Sequence, residues 1–256
     1  MNKSQQPALI LFVIGLLGLG ILALIYDDFA MVWQPVPAGL PARVAVAYGS
    51  GVLMCLLGFG LLLHGARAWA VRILCPYLFI WAMLKVPGVL VAPKMEATWL
   101  GLGELLVLFA GGWTLFSRLG EIPPASPLAF LVGDRGVRMA RILFAISVIP
   151  VGLSHIVYMK ITAGYVPQWL PYREGWAVLT GAGQIASGLG VLFGVLPRIA
   201  AWAEAGQIFI YTFLVWLPAI VAEPKSRLNW TAFFISWIIA SGAAAVAQNV
   251  AGKKQI

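Results

Sequence analysis

Eight stretches of roughly 18 to 24 mostly apolar residues follow one another along the chain, each near the ~20 residues that a helix needs to cross a ~30 Å hydrocarbon core. Short segments that collect the prolines and charges separate them. The pattern predicts transmembrane helices near Ala8–Tyr26, Val44–Leu63, Trp69–Val91, Trp99–Phe116, Met139–Tyr158, Trp176–Leu196, Ile199–Ala222 and Trp230–Val250. The first begins after one basic residue, Lys3, and meets no small-x-small cleavage site before Asp27-Asp28, so it reads as a retained helix and not a removed signal peptide.

Composition agrees with that solvent: 61% of the 256 residues are hydrophobic and 10% are charged, against about 25% charged in a soluble domain. A soluble globule is excluded. The net charge of +8 raises nucleic acid as a partner, but Lys and Arg stand singly at helix ends and form no basic tract, so no nucleic acid is expected and the lipid bilayer is. Eight crossings put both termini on one side. That side holds Lys3, Arg67, Arg72, Arg118, Arg135, Arg138, Arg141, Arg198, Lys253 and Lys254, against Arg43, Lys94, Lys160, Arg173, Lys225 and Arg227 opposite. The positive-inside rule then makes the termini cytoplasmic, in a bacterial-type inner membrane.

The chain also resembles itself. Slid by 132 residues, Tyr26 falls on Tyr158, Pro35 on Pro167, Gly49 on Gly181, Gly51 on Gly183 and Gly58 on Gly190. At a shift of 131 the match continues with Arg67 on Arg198, Pro87 on Pro218, Pro93-Lys94 on Pro224-Lys225, Trp99 on Trp230 and Gly111 on Gly242. One residue deleted between the second and third helices explains the step. The expected fold is all-α, with eight transmembrane helices as two tandem four-helix units: 1–122, a cytoplasmic linker 123–136, and 137–256. Four is even, so the copies enter the membrane in the same orientation, about a pseudo-two-fold axis along its normal. Each unit has a Pro-rich aromatic outward loop, Trp33-Gln34-Pro35-Val36-Pro37 and Tyr165-Val166-Pro167-Gln168-Trp169-Leu170-Pro171. Such a loop is no regular helix; it either anchors at the headgroup layer or caps a cavity between helices.

Ionisable groups within spans are costly, and each calls for a partner or a function. Lys85 and Glu104 sit at equal depth on either side of the turn between the third and fourth helices, roughly 10 Å below the interface. They read as an intramembrane ion pair that fixes helix register, with a substrate or proton site as the alternative. Glu204, an intramembrane carboxylate one to two turns into the seventh helix, reads as snorkelling toward Arg198 or Arg141, with proton entry as the alternative. His155, with Ser154 beside it and Tyr158 one turn on, faces Gln184 of the sixth helix; together they line a shallow outward pocket under the Pro-rich loop. The alternative is an interfacial histidine satisfied by backbone or lipid. His64 lies at the opposite membrane face, some 25–30 Å from His155, so one chain holds no bis-His haem. Cys55 and Cys75 fall at similar depth on adjacent helices; without a C-x-x-C motif they read first as packing residues. No metal-ligand cluster, phosphate loop or nucleophile elbow is present.

The second unit resembles the DoxX-like family of small four-helix membrane proteins. The resemblance rests on Gly152-Leu153-Ser154-His155, Val166-Pro167-Gln168-Trp169-Leu170-Pro171, Thr180-Gly181-Ala182-Gly183-Gln184-Ile185-Ala186-Ser187-Gly188, Leu217-Pro218 and Trp230-Thr231. It covers about Arg138 to Ala247, with the first unit a more diverged copy. The family takes its name from a membrane subunit of an archaeal quinone-linked sulfur oxidation system, and other members are associated with redox and thiol-stress complexes. The resemblance therefore implies an accessory membrane subunit of a redox system, with a quinone-accessible pocket and a partner protein that supplies the redox centre; the chain itself has no evident cofactor ligands. One departure is Gln184, where family members place an ionisable Glu or His; an amide hydrogen-bonds but does not titrate. Its counterpart in the first unit is Val52. A small-molecule transporter or lipophile-binding protein, and a purely structural or assembly protein, stand as the other classes. No catalytic residue is assigned.

Overall fold

The computed structural model describes residues 6–250. Lys3, Lys253 and Lys254, three of the cations assigned to the side of the termini, lie outside those residues. Eight helical spans are long and apolar enough to cross a membrane, and no strand occurs among the described residues. Six are single helices: α1 (Gln6–Ile25), α2 (Arg43–Leu62), α5 (Glu96–Leu119), α6 (Gly133–Val157), α8 (Arg173–Phe193) and α11 (Arg227–Asn249). The third span is broken into α3 (Arg67–Met83) and α4 (Val86–Val91), the seventh into α9 (Pro197–Tyr211) and α10 (Leu217–Ala222) with a π turn, Thr212–Trp216, between them. Both breaks precede a proline, Pro87 and Pro218, in the first turn of the helix that follows. Proline lacks the N–H that would continue the ladder and crowds the carbonyl four residues back. A short helix, α7 (Met159–Tyr165), follows α6.

Charge places several ends. Glu96 opens α5 and Arg118 closes it, each sign complementing the helix dipole, and the Ser226 hydroxyl accepts from the Asn229 N–H at the start of α11. At α6, Asp134 falls in the first turn and receives Arg118 Nη1 at 2.8 Å. The helix therefore starts at Gly133, six residues before the expected span, and the connection between the fourth and fifth spans ends earlier than the expected linker.

The buried centre is formed by α1, α5, α6 and α11, where Phe12, Leu16, Leu105, Leu108 and Phe144 are wholly enclosed. Outward faces carry exposed Leu56, Phe59, Ile80, Leu179, Phe193 and Ile199, as a lipid-facing surface requires. At the centre α5 and α11 approach so closely that a Cβ on Gly111 would stand 2.3 Å from Gly242 Cα. Small residues at a crossing allow such approach of backbones.

Several contacts occur twice. Gly20 meets the Gly51 carbonyl in α1 and α2, and Gly152 meets the Gly181 carbonyl in α6 and α8. Gly60 faces Ala70, and Gly190 faces Ala200. Arg43 donates to Val36 O and Arg173 to Val166 O. The indoles of Trp99 and Trp230 each donate at 2.9 Å, to Pro93 O and Pro224 O. These pairs are spaced 132 residues apart in the first helix, 130 through the loop and second helix, and 131 after the π turn. The spacing thus changes twice, by two residues between the first helix and the loop and by one at the π turn, which adds a residue to the seventh span.

We call the end with the Pro-rich loops the loop end, and the one with residues 120–132 the linker end. At the loop end Asp28 joins both halves of the chain: Arg43 Nη1 binds its Oδ1, and Arg227 Nη2 lies 3.1 Å from Oδ2. Burial works against this carboxylate's charge, but the Phe29 N–H and the two guanidiniums outweigh it and hold Asp28 below the usual carboxylate range. At the linker end Arg72 Nε donates to Gly120 O at 2.5 Å.

Candidate functional site

A cavity of about 1040 Å³ begins beneath the second Pro-rich loop, at Tyr165, Val166 and Trp169, and runs down to Gln184 and Glu204. Its walls are α5, α6, α8, α9 and α11; α7 and the π turn border its mouth. There the rings of Tyr165 and Trp216 stand 5.5 Å apart. Gln184 lies eleven residues into α8 from the loop end, or ~16 Å of helix, and Glu204 seven residues into α9 from the linker end, or ~10 Å. The cavity is therefore deep, not the shallow pocket expected from sequence. Its lining is mostly apolar with a few polar groups, the usual make-up of a small-molecule site.

Ser154, His155, Tyr158 and Gln184, the four residues grouped from sequence, all line it. Three are engaged. The Ser154 hydroxyl donates to Val151 O at 2.7 Å within its own helix. His155 Nδ1 lies 3.0 Å from Thr180 Oγ1, and since that hydroxyl donates to Ala177 O, the imidazole nitrogen is the donor in this pair. The Tyr158 hydroxyl accepts from the Ala97 N–H at 3.1 Å. Gln184 is 2% exposed and its Oε1 has no hydrogen-bond partner.

Glu204 also lines the cavity. It is 1% exposed, and neither carboxylate oxygen has a partner in hydrogen-bonding geometry, although Gln184 and Ser187 lie beside it. No ion pair joins it to Arg198 or Arg141. The expectation of a snorkelling carboxylate is corrected: α9 turns this position toward α8 and the bundle interior, whereas snorkelling needs a face open to the interface.

Lys85 and Glu104 do not form the expected ion pair. The 3₁₀ turn Met31–Trp33 reaches in between them: Lys85 Nζ donates to Val32 O at 2.5 Å, and Glu104 Oε2 accepts from Trp33 Nε1 at 2.9 Å. Each charge is bonded to the first Pro-rich loop, and the two still act on each other electrostatically. Glu104 faces the cavity and Lys85 does not. Cys55 and Cys75 are free thiols.

Thr180, Gln207 and Tyr211 also line the cavity, and the sequence reading assigned none of them to the pocket. Thr180 precedes Gln184 by four residues, while Gln207 and Tyr211 follow Glu204 by three and seven, so each pair shares a helix face. Marking polar positions at helical spacing along α8 and α9 would have found them. Gln207 Nε2 donates to Thr180 O at 2.9 Å and ties the two helices together.

Residues 136–217 match the DoxX family model. No curated protein and no solved structure matches the chain. The matched stretch spans α6 through α9 and so supplies His155, Gln184 and Glu204 together. The protein is an integral membrane protein with eight apolar spans among the described residues, and its residues 136–217 match the DoxX family model.

Proposed function

We propose that this protein binds a lipophilic small molecule in the cavity between α5, α6, α8, α9 and α11, as an accessory membrane subunit of a quinone- or thiol-linked redox system. The cavity carries the reading: its mostly apolar wall suits a lipophile, and the partnerless Gln184 and Glu204 oxygens at its floor suit a polar head. The redox setting is what the DoxX-like resemblance implies: a quinone enters the membrane part and a partner protein brings the redox centre. The amide at position 184 does not titrate, but Glu204 beside it does.

The test is mass spectrometry on the full chain, purified in mild detergent through a C-terminal tag. Expected are a stoichiometric bound lipophile and a co-purifying redox protein. A protein that is empty and alone, and that stays empty when challenged with a series of lipophiles, quinones among them, overturns the reading.

A second reading is transport. It is favoured by the reach of the cavity, from the loop end to within ~10 Å of the linker end. Uptake into vesicles that Glu204→Gln abolishes would select it; this variant keeps the side chain's shape and removes its charge.

Two further readings belong to the same proposal. The chain sits in a bacterial-type inner membrane with both termini cytoplasmic; an active alkaline phosphatase fused at the C-terminus would reverse that orientation. The two halves descend from one four-helix unit by tandem duplication. Supporting it are the twice-made glycine, arginine and indole contacts, and the meeting of Gly111 with Gly242, 131 residues apart, where α5 crosses α11. A two-fold axis brings a position onto its own copy in this way.

A further inference from the structure

We propose that the ligand of this cavity is an amphipathic organic cation, with the Glu204 carboxylate as its counter-charge. The inference rests on the lipophile-binding reading above and specifies the chemistry of the head group.

The oxygens left without partners at the cavity floor are Gln184 Oε1 and both oxygens of Glu204. A carboxylate and an amide oxygen only accept hydrogen bonds. Buried acceptors without partners are costly, and a buried charge without a counter-charge more so. A ligand that answers them must bring donors or positive charge. An oxidised quinone ring, whose oxygens also accept, does not; its reduced quinol form brings two donors but no positive charge.

Of the cavity's own donors, the Gln184 amide lies beside Glu204 and two others are occupied. Gln207 Nε2 is bound to Thr180 O, and the His155 ring nitrogen to the Thr180 hydroxyl. The Tyr211 hydroxyl is buried without a partner, and a hydroxyl can donate or accept. No lysine or arginine lines the cavity; its acidic groups are Glu104 and Glu204. Of these, Glu104 is answered by the Trp33 indole and lies near Lys85. Glu204 has the Gln184 amide and the Ser187 hydroxyl beside it but no cation among the lining residues.

The walls favour the same sign of charge. Trp169, Trp176 and Trp216, with Tyr165 and Tyr211, bring five electron-rich rings to a low-dielectric space. Faces of such rings attract cations, most strongly when water is excluded. The volume of about 1040 Å³ admits a drug-sized molecule. The ligand class that combines these demands is a multi-ring or long-chain amine or iminium, with its charge at the Gln184–Glu204 floor and its apolar body among the aromatic rings of the upper cavity.

The test uses the full chain in lipid nanodiscs and follows fluorescence polarisation of two dyes of similar size, with empty nanodiscs subtracted. Rhodamine 6G is cationic and carries N–H donors; Nile red is neutral. Wild type should bind both, and Glu204→Gln should weaken rhodamine 6G by at least about tenfold while leaving Nile red unchanged, with Glu204→Asp retaining most of the cation affinity. Should Glu204→Gln fail to fold, wild type still decides: tetraphenylphosphonium must displace rhodamine 6G, and the isosteric anion tetraphenylborate must not. Equal displacement by both ions, or a full-affinity Glu204→Gln, overturns the cation assignment and leaves the lipophile reading standing. If neither dye binds above empty nanodiscs, both fall together.

Discussion

Adding one methyl group at the centre of the bundle separates two glycines that look interchangeable in sequence. In Gly111→Ala the new Cβ would stand 2.3 Å from Gly242 Cα, 3.1 Å from its carbonyl carbon and 3.2 Å from its oxygen. Carbon atoms in good contact are ~3.5–4.0 Å apart, so α5 and α11 must part by more than ~1 Å. The atoms in the way are backbone, which cannot rotate aside. Overpacking of this kind costs about 1–3 kcal/mol. In Gly242→Ala the new Cβ meets Gly111 Cα and Val107 O at 3.4 Å, ordinary contact, and gains the ~1 kcal/mol by which alanine exceeds glycine in a helix. The two variants should therefore differ by about 2–4 kcal/mol, with wild type between them. In Tm that is roughly 5–15 °C for a chain of this size. Thermal unfolding of both proteins in the same detergent, followed by size-exclusion chromatography of the soluble fraction, measures the difference. Equal Tm values, or a lower one for Gly242→Ala, would refute the packing argument.

Other perturbations have defined signs. Asp28 titrates below its ordinary 3.8, so its contribution to stability is fully present above that value and is lost as pH falls through the lower, folded one. Asp28→Asn should unfold more easily at neutral pH, by on the order of 2 kcal/mol, and show a flatter acid limb below pH ~4; acid-unfolding curves of the two proteins check this. Trp33→Phe removes the donor to Glu104 and should cost about 1–3 kcal/mol, whereas a Tm equal to wild type would mean that the indole hydrogen bond contributes nothing. Because Lys85 and Glu104 hold neighbouring residues of one turn and still act on each other electrostatically, the losses from Lys85→Ala and Glu104→Ala should overlap and sum to more than the loss in the double variant; a double variant more stable than either single one would restore the direct ion pair. Thr180→Val deprives the His155 ring of its partner and should lower stability by about 1 kcal/mol, read from Tm in detergent.

The spans were legible because a bilayer imposes one length and one polarity on every crossing. Prolines 87 and 218 were visible too, but their consequences, a kinked third span and a π turn in the seventh, depend on how neighbours accept freed backbone groups. His155, Ser154, Tyr158 and Gln184 could be grouped because depth and helix adjacency can be counted along a chain, and all four line one cavity. Depth misled at Lys85 and Glu104: it says nothing about a loop that folds in from the side, and Trp33 offered a nearer donor. Glu204 was misjudged for a related reason. One carboxylate on a helix does not reveal which way that helix is turned, and only together with Gln207 and Tyr211 does its face become readable. The depth of the cavity had no signature in sequence at all, since it arises from how five helices fail to fill the space between them.

The ion cluster at Asp28 also sets a schedule. Its near partner, Arg43, lies 15 residues along the chain. Its far partner, Arg227, and the Lys225 carbonyl that receives the Tyr26 hydroxyl from 199 residues away emerge only when the last span is being made. At synthesis rates of about 5–20 residues per second, the first loop waits on the order of 10–40 s before the last one reaches it. During that interval the rim is held on one side only, and α1 has yet to meet α11. Closure of the ring of helices is therefore a late event on the ribosome. A chain stopped short of Arg227 would leave the membrane with an open seam beside its first helix, the kind of defect by which quality-control proteases recognise an unfinished protein.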